Sequence, residues 1–278
     1  MWLIFAFSAA VAYSLQWILF RMSRGVPSTI VTATEYITGP LLFLIALRTV
    51  DYPWHEPWFW AYLTLPFLLI PFFVWSTMYA VHRVEVTYVK PLFGLSSMTT
   101  LLVASVFFGE SISAYAVTGL VCITFGLLTL YHGRWAAWRN VGPWIILAAA
   151  LFYGVNAAVV AKVLQKFPDV LGVIALVFLG SFLLNLPMAI RDLRTFRFSR
   201  NQLLILLSMV ITTLLQDFLT LVGFTFGPSP YVIAIKRTSI LLTAVIGYFF
   251  LNERDQSLNR LLLASGFVVI GVVFIVLS

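Results

Sequence analysis

Charge is what this sequence has least of. Of its 278 residues only 10% are Asp, Glu, Lys or Arg, while 62% are hydrophobic and 16% aromatic, and an average soluble domain carries about 25% charged residues. That shortfall excludes an ordinary water-soluble globule. Cysteine is almost absent: the single Cys122, set in an apolar run, can form no intrachain disulfide and reads as a packing residue. Histidine is confined to His55, His82 and His132, all near the ends of apolar runs, so no Cys/His metal spacing exists. There is no Walker loop for ATP hydrolysis, and no nucleophile, base and orienting acid can be assembled from the motifs present. The reading is of a protein that is not an enzyme and needs no cofactor.

What the chain does have is long apolar runs. They cover about 2 to 20, 29 to 47, 58 to 79, 87 to 108, 113 to 131, 143 to 164, 170 to 190, 202 to 225, 230 to 251 and 257 to 277. A membrane-spanning helix needs about 20 apolar residues, so ten spans consume nearly the whole chain and leave no sizeable soluble domain. The first run lacks the basic start of a signal peptide and is kept as a span. Turn signals separate the runs, among them Gly25-Val26-Pro27, Tyr52-Pro53-Trp54 and Gly227-Pro228-Ser229-Pro230. Ser113 and Ser257 are candidate N-caps. Transmembrane strands would be shorter and alternating, so the fold class is all-α and polytopic. Pro66, Pro71, Pro91 and Pro187 are expected to kink or interrupt their helices. Trp54, Trp58, Trp60, Trp135, Trp138 and Trp144 fall at span boundaries and read as interfacial belts.

The chain also repeats itself. A shift of 143 residues sets Tyr88-Val89 on Tyr231-Val232, Ser96 on Ser239, Thr100 on Thr243, Phe107 on Phe250 and Glu110 on Glu253. A shift of 140 sets Tyr13 on Tyr153, Ser14 on Gly154 and Gln16 on Asn156. Two five-helix halves follow, residues 1–134 and 140–278. Five is odd, so the halves have opposite orientation, the arrangement on which many transporters are built.

The endings Phe107-Phe108-Gly109-Glu110 and Phe250-Leu251-Asn252-Glu253, followed by last helices with Gly119 and Gly126 or Gly266 and Gly271, resemble the paired EamA repeats of the drug/metabolite transporter superfamily. The resemblance implies ten helices in a five-plus-five inverted repeat around a central cavity opened alternately to each side. It leaves the substrate open, since the superfamily includes exporters of amino acids and drugs and transporters of nucleotide sugars and triose phosphates. The chain is most similar to the bacterial type, which implies the inner (cytoplasmic) membrane.

Lys and Arg set orientation. Odd-numbered connections hold eleven of them (Arg21, Arg24, Arg83, Arg134, Arg139, Arg191, Arg194, Arg197, Arg200, Arg254 and Arg260), and even-numbered ones hold Arg48, Lys162 and Lys166. This places both termini outside the cytoplasm, whereas members of the family usually keep them inside. The net charge of +7 belongs at anionic lipid headgroups, not on nucleic acid.

Five ionisable residues remain well inside spans: Glu35, Lys90, Asp217, Lys236 and Arg237. Each costs at least about 2.5 kcal/mol at a helix centre, which makes it a candidate for function. Lys236-Arg237 is the strongest pair, because the Arg fork suits phosphate or carboxylate oxygens. The pair is similar to the phosphate-binding pair of plastid triose-phosphate transporters, and Lys90 falls in the helix that carries their further substrate lysine. Glu35 and Asp217 either neutralise these cations or bind and release a proton. Gln16 and Asn156, repeat-related and near a pseudo-twofold axis, and Tyr88 and Tyr231, which open the fourth and ninth spans, complete the substrate-binding candidates. Glu110 and Glu253 read as architectural.

The expected function is secondary-active transport of a small organic metabolite bearing an anionic group, by a monomer or homodimer in contact with membrane lipids, with proton coupling and exchange both open. A flippase for a lipid or lipid-linked glycan, an amino-acid or drug exporter, and an accessory membrane subunit are the alternatives.

Overall fold

A computed structural model describes residues 1–83, 92–129, 141–250 and 258–277. Its described residues form helices and connecting turns, with no strand. The helices are α1 (Trp2–Met22), α2 (Ser28–Glu35), α3 (Gly39–Thr49), α4 (Pro57–Arg83), α5 (Leu95–Phe108), α6 (Ala114–Thr129), α7 (Val141–Lys166), α8 (Val170–Leu193), α9 (Arg200–Phe226), α10 (Ser229–Arg237), α11 (Ser239–Phe250) and α12 (Leu258–Val276). Seven spans are long and apolar enough to cross a membrane, α2 with α3 and α10 with α11 each counting as one. Three shorter apolar helices, α5, α6 and the Leu262–Val276 part of α12, make up ten. Their outer faces carry exposed side chains such as Leu102, Val106, Phe107, Leu207, Ile211 and Val269. Exposed apolar side chains on this scale belong in lipid. The protein is an integral membrane protein with the all-α polytopic fold that its apolar runs imply.

Helix ends follow local chemistry. Ser113 accepts from the Ala116 N–H at 3.1 Å and caps α6, as its position in the sequence suggests. Asp169 does the same for α8 through Gly172 at 2.6 Å, and Ser199 with Gln202 forms a capping box at the start of α9. Gly109 ends α5 with φ of 67°, a left-handed conformation that glycine adopts without penalty. Ser257, the other expected cap, lies outside the described residues.

The interruptions are not where the prolines are. Pro66 and Pro71 sit inside a continuous α4, and Pro187 inside a continuous α8, so these prolines do not supply the interruptions expected of them. Packed neighbours and local adjustment satisfy the backbone groups a proline frees. The second span instead breaks at Tyr36–Thr38 and the ninth at Thr238, neither at a proline. Pro91 lies outside the described residues. In the fourth span α5 begins only at Leu95, after a turn at Phe93-Gly94. The 143-residue shift carries Phe93-Gly94 onto Lys236-Arg237 and Leu95 onto Thr238, so the turn before α5 falls directly before the position equivalent to the break in the ninth span.

Packing repeats with the sequence. α1 packs on α9 as α4 packs on α7, and α5 packs on α7 as α10 and α11 pack on α1. The Thr100 hydroxyl donates to the Gly154 carbonyl at 3.1 Å, and its repeat partner Thr243 donates to Ser14 at 3.4 Å. The last helices of the halves, α6 and α12, meet through Gly119 and Gly271: a Cβ on either would lie 2.5 Å from the carbonyl oxygen of the other. Small residues permit such close approach in membranes.

The bundle end that carries the N-terminus is closely knit. Trp2 lies 6.2 Å from Tyr231 and Phe5 5.9 Å from Phe226, centroid to centroid. Glu110 accepts from Gln165 at 2.9 Å and from Ser229 at 3.5 Å. Lys166 sits 4.8 Å over Trp58, one of the expected belt residues. Burial, aided by the nearby Asp169, pushes the Tyr52 phenol up to about 12, so it stays a neutral donor to Gly172, at 3.3 Å.

Candidate functional site

Between the halves lies a cavity walled by the first, second, third, sixth, seventh and eighth spans. Its surface is mostly aromatic and aliphatic, with Phe20, Phe73, Phe178 and Phe224 prominent. The polar groups on it are few: Tyr13, Tyr36, Tyr153, Gln16, Asn156, Gln216, Asp217 and Thr220. The two repeat-related pairs, Tyr13 with Tyr153 and Gln16 with Asn156, therefore all reach it. About 60 Å³ is open to water, room for a few water molecules, so this conformation is a narrow one.

Lys236 and Arg237 end α10 at the interruption of the ninth span and are both fully buried. They lie behind the cavity wall, screened by Tyr13 and Tyr153. The Lys236 ammonium donates to the Tyr153 hydroxyl at 3.1 Å, lies 3.8 Å from Asp217 and sits 4.8 Å over the Tyr13 ring. The Arg237 guanidinium is 4.5 Å from the Tyr153 ring, 4.9 Å from Phe93 and 5.5 Å from Tyr13. Its three nitrogens are buried and find no well-formed acceptor among the described residues. Phe93 is the repeat counterpart of Lys236, so Arg237 of one half meets an aromatic ring at the matching place in the other. Ring faces attract a cation but do not supply the lone pairs its N–H groups need.

The two acids have separated roles. Asp217 on α9 faces the cavity, with 28% of its side chain exposed, accepts from Gln216 and pairs with Lys236. Glu35, the last residue of α2, is fully buried. Its Oε1 accepts from the Gln16 amide at 2.5 Å and the Thr213 hydroxyl at 2.8 Å. It touches neither cation. Thr213, one turn before Asp217 on α9, has no prominence in the sequence beyond being a polar residue in an apolar run.

Among the other candidates, Asn156 lines the cavity and its Oδ1 lacks a partner among the described residues. Tyr231 is remote from it, packed on Trp2 with its hydroxyl accepting from the Ser113 N–H at 3.5 Å. Lys90, Tyr88 and Glu253 lie outside the described residues. Among the described residues no His/Cys/Asp/Glu group has the arrangement of a metal site.

Two structurally repeated halves of apolar helices, enclosing a small cavity with buried charge beside it, define a polytopic membrane protein of the transporter type. The chain belongs to the EamA-like transporter family, whose model matches twice, over residues 1–131 and 140–277. One solved crystal structure aligns with 99% of this chain and 96% of its own at a TM-score of 0.79 and 14% identity, a likeness of fold. A comparison with curated proteins finds no match.

Proposed function

We propose that the protein carries a small organic solute with a phosphate or carboxylate group across the membrane by alternating access, driven by gradients, with Lys236 and Arg237 taking the oxyanion. The observation behind this reading is Arg237. A buried guanidinium left without acceptors is costly, and a bidentate oxyanion is the ligand whose geometry matches its fork. Tyr13 and Tyr153 both line the cavity and both touch the cations, so a shift of either ring lets a solute reach them. The aromatic wall suits an apolar body behind the charged group, and the helices part to admit it.

Asp217 adds the driving logic. It competes with the solute for Lys236, so protonating Asp217 frees the lysine for an anion, and anion release returns the lysine to the carboxylate. The same pair favours one second reading: a zwitterion such as an amino acid would set its ammonium on Asp217 and its carboxylate on the cations.

A thermal-shift screen of purified protein against phosphorylated metabolites, organic acids, amino acids and cationic amines tests both, followed by uptake into proteoliposomes. Stabilisation by anionic compounds, lost at least tenfold in apparent affinity in Arg237→Lys and Lys236→Met, is the expected result. Stabilisation by amino acids alone selects the second reading. Stabilisation by cationic amines and no oxyanion overturns both.

A further inference from the structure

We propose that Glu35 is a proton-binding site, occupied in this conformation and connected to the cavity through Gln16. What the proton does for transport rests on the function proposed above; that Glu35 holds it does not.

Glu35 is fully enclosed and ends a helix, where the backbone dipole presents its negative pole and disfavours a carboxylate. Everything that bonds to it is neutral: the Gln16 amide and the Thr213 hydroxyl, both on Oε1. Oε2 has no partner among the described residues, and neither has the buried Oε1 of Gln16, whose amide nitrogen bonds Glu35. Two acceptors lacking a donor in one enclosed cluster call for a hydrogen between them. An un-ionised carboxyl supplies it.

Among the described residues the surrounding elements bring no countercharge to it. α2 packs on α8, α9 and α4. α9 contributes Asp217, of the same sign and already paired with Lys236. α8 contributes Asp192, which bonds Thr29 at the far end of α2, and the exposed Arg191 that pairs with Asp192 there. α4 carries no charged residue between Pro57 and Ala80. α1 brings Gln16 and, a turn away, the phenol Tyr13; Tyr36 follows directly in the chain. An isolated buried acid in such company takes up a proton rather than stay charged.

Gln16 is the link outward. Glu35 does not line the cavity, but Gln16 bonds it and does. The break at Tyr36–Thr38 begins at the next residue, so a rotation of α2 against α3 changes the contact between Glu35 and Gln16.

Infrared spectroscopy of the purified full-length protein tests this without any substrate. At neutral pH the wild type shows the carbonyl band of an un-ionised carboxylic acid; Glu35→Gln loses it and Asp217→Asn keeps it. The glutamine retains an acceptor for both Oε1 contacts, so a folded variant is expected, with a melting temperature close to wild type. Should it not fold, Gln16→Leu reads the same group: the band shifts, and its deuterium exchange slows at least tenfold as the link to cavity water is lost. A band that persists in Glu35→Gln, no such band in the wild type, or exchange unaffected by Gln16→Leu overturns the proposal.

Discussion

At the scale of single residues, the cost of charge in lipid organises the site. Asp217 is the one carboxylate in contact with a cation at the cavity among the described residues, and it pairs with Lys236, whose neighbour Arg237 carries a like charge. Asp217→Asn leaves two buried cations side by side and is expected to lower stability by up to about 3 kcal/mol, the lower end of what breaking a buried pair costs, reduced by its partial exposure. Asp217→Asn with Lys236→Met removes one charge of each sign and recovers most of the loss, read as melting temperature in detergent. A double variant less stable than Asp217→Asn alone contradicts the pairing. These residues stand out in the sequence because each breaks an apolar run. Their pairing does not: Glu35, read as a counter-ion or proton site, bonds Gln16 from 19 residues away and Thr213 from 178, separations that only tertiary packing closes.

At the scale of elements, span positions are legible and interruptions are not. Long apolar runs report where lipid is, because every backbone polar group there must be satisfied within a helix. A break reports instead what neighbours compensate, and Lys236-Arg237-Thr238 contains no residue that breaks a helix by itself. The second span shows how tightly its break is framed. A Cβ on Gly39, the first residue of α3, would lie 2.5 Å from the Phe178 backbone carbon. Backbone cannot rotate aside, so Gly39→Val pushes α3 off α8 and should cost about 1–3 kcal/mol, the usual range for overpacking. Pro66→Ala and Pro71→Ala, in a helix that is already continuous, should change stability by less. Thermal unfolding of the three variants in one detergent checks the order, and a Gly39→Val melting at or above the proline variants refutes it.

For the whole molecule, the alternating access proposed above would draw two conformations from one repeated architecture. The paired hydrogen bonds Thr100 to Gly154 and Thr243 to Ser14 are equivalent by sequence, so the halves share a packing plan that either can adopt. In that proposal, contacts that close one end in one state are released when the halves exchange arrangements. The end carrying the N-terminus is knit across the repeats, where Glu110 joins the end of α5 to Gln165 on α7 and Ser229 on α10. An architectural glutamate at a turn, as Glu110 reads in the sequence, becomes at this scale a latch across the two repeats. Glu110→Ala should release it and favour the state open to the N-terminal side. A cysteine at Thr220 on the cavity wall, in a Cys122→Ala background, reports this through an impermeant thiol reagent applied from either face of oriented vesicles. Labelling from the N-terminal side is expected to rise several-fold in Glu110→Ala, while labelling from the other side falls. Equal rates in both backgrounds would mean that the aromatic contacts of Trp2, Phe5 and Trp58 hold this end shut without Glu110.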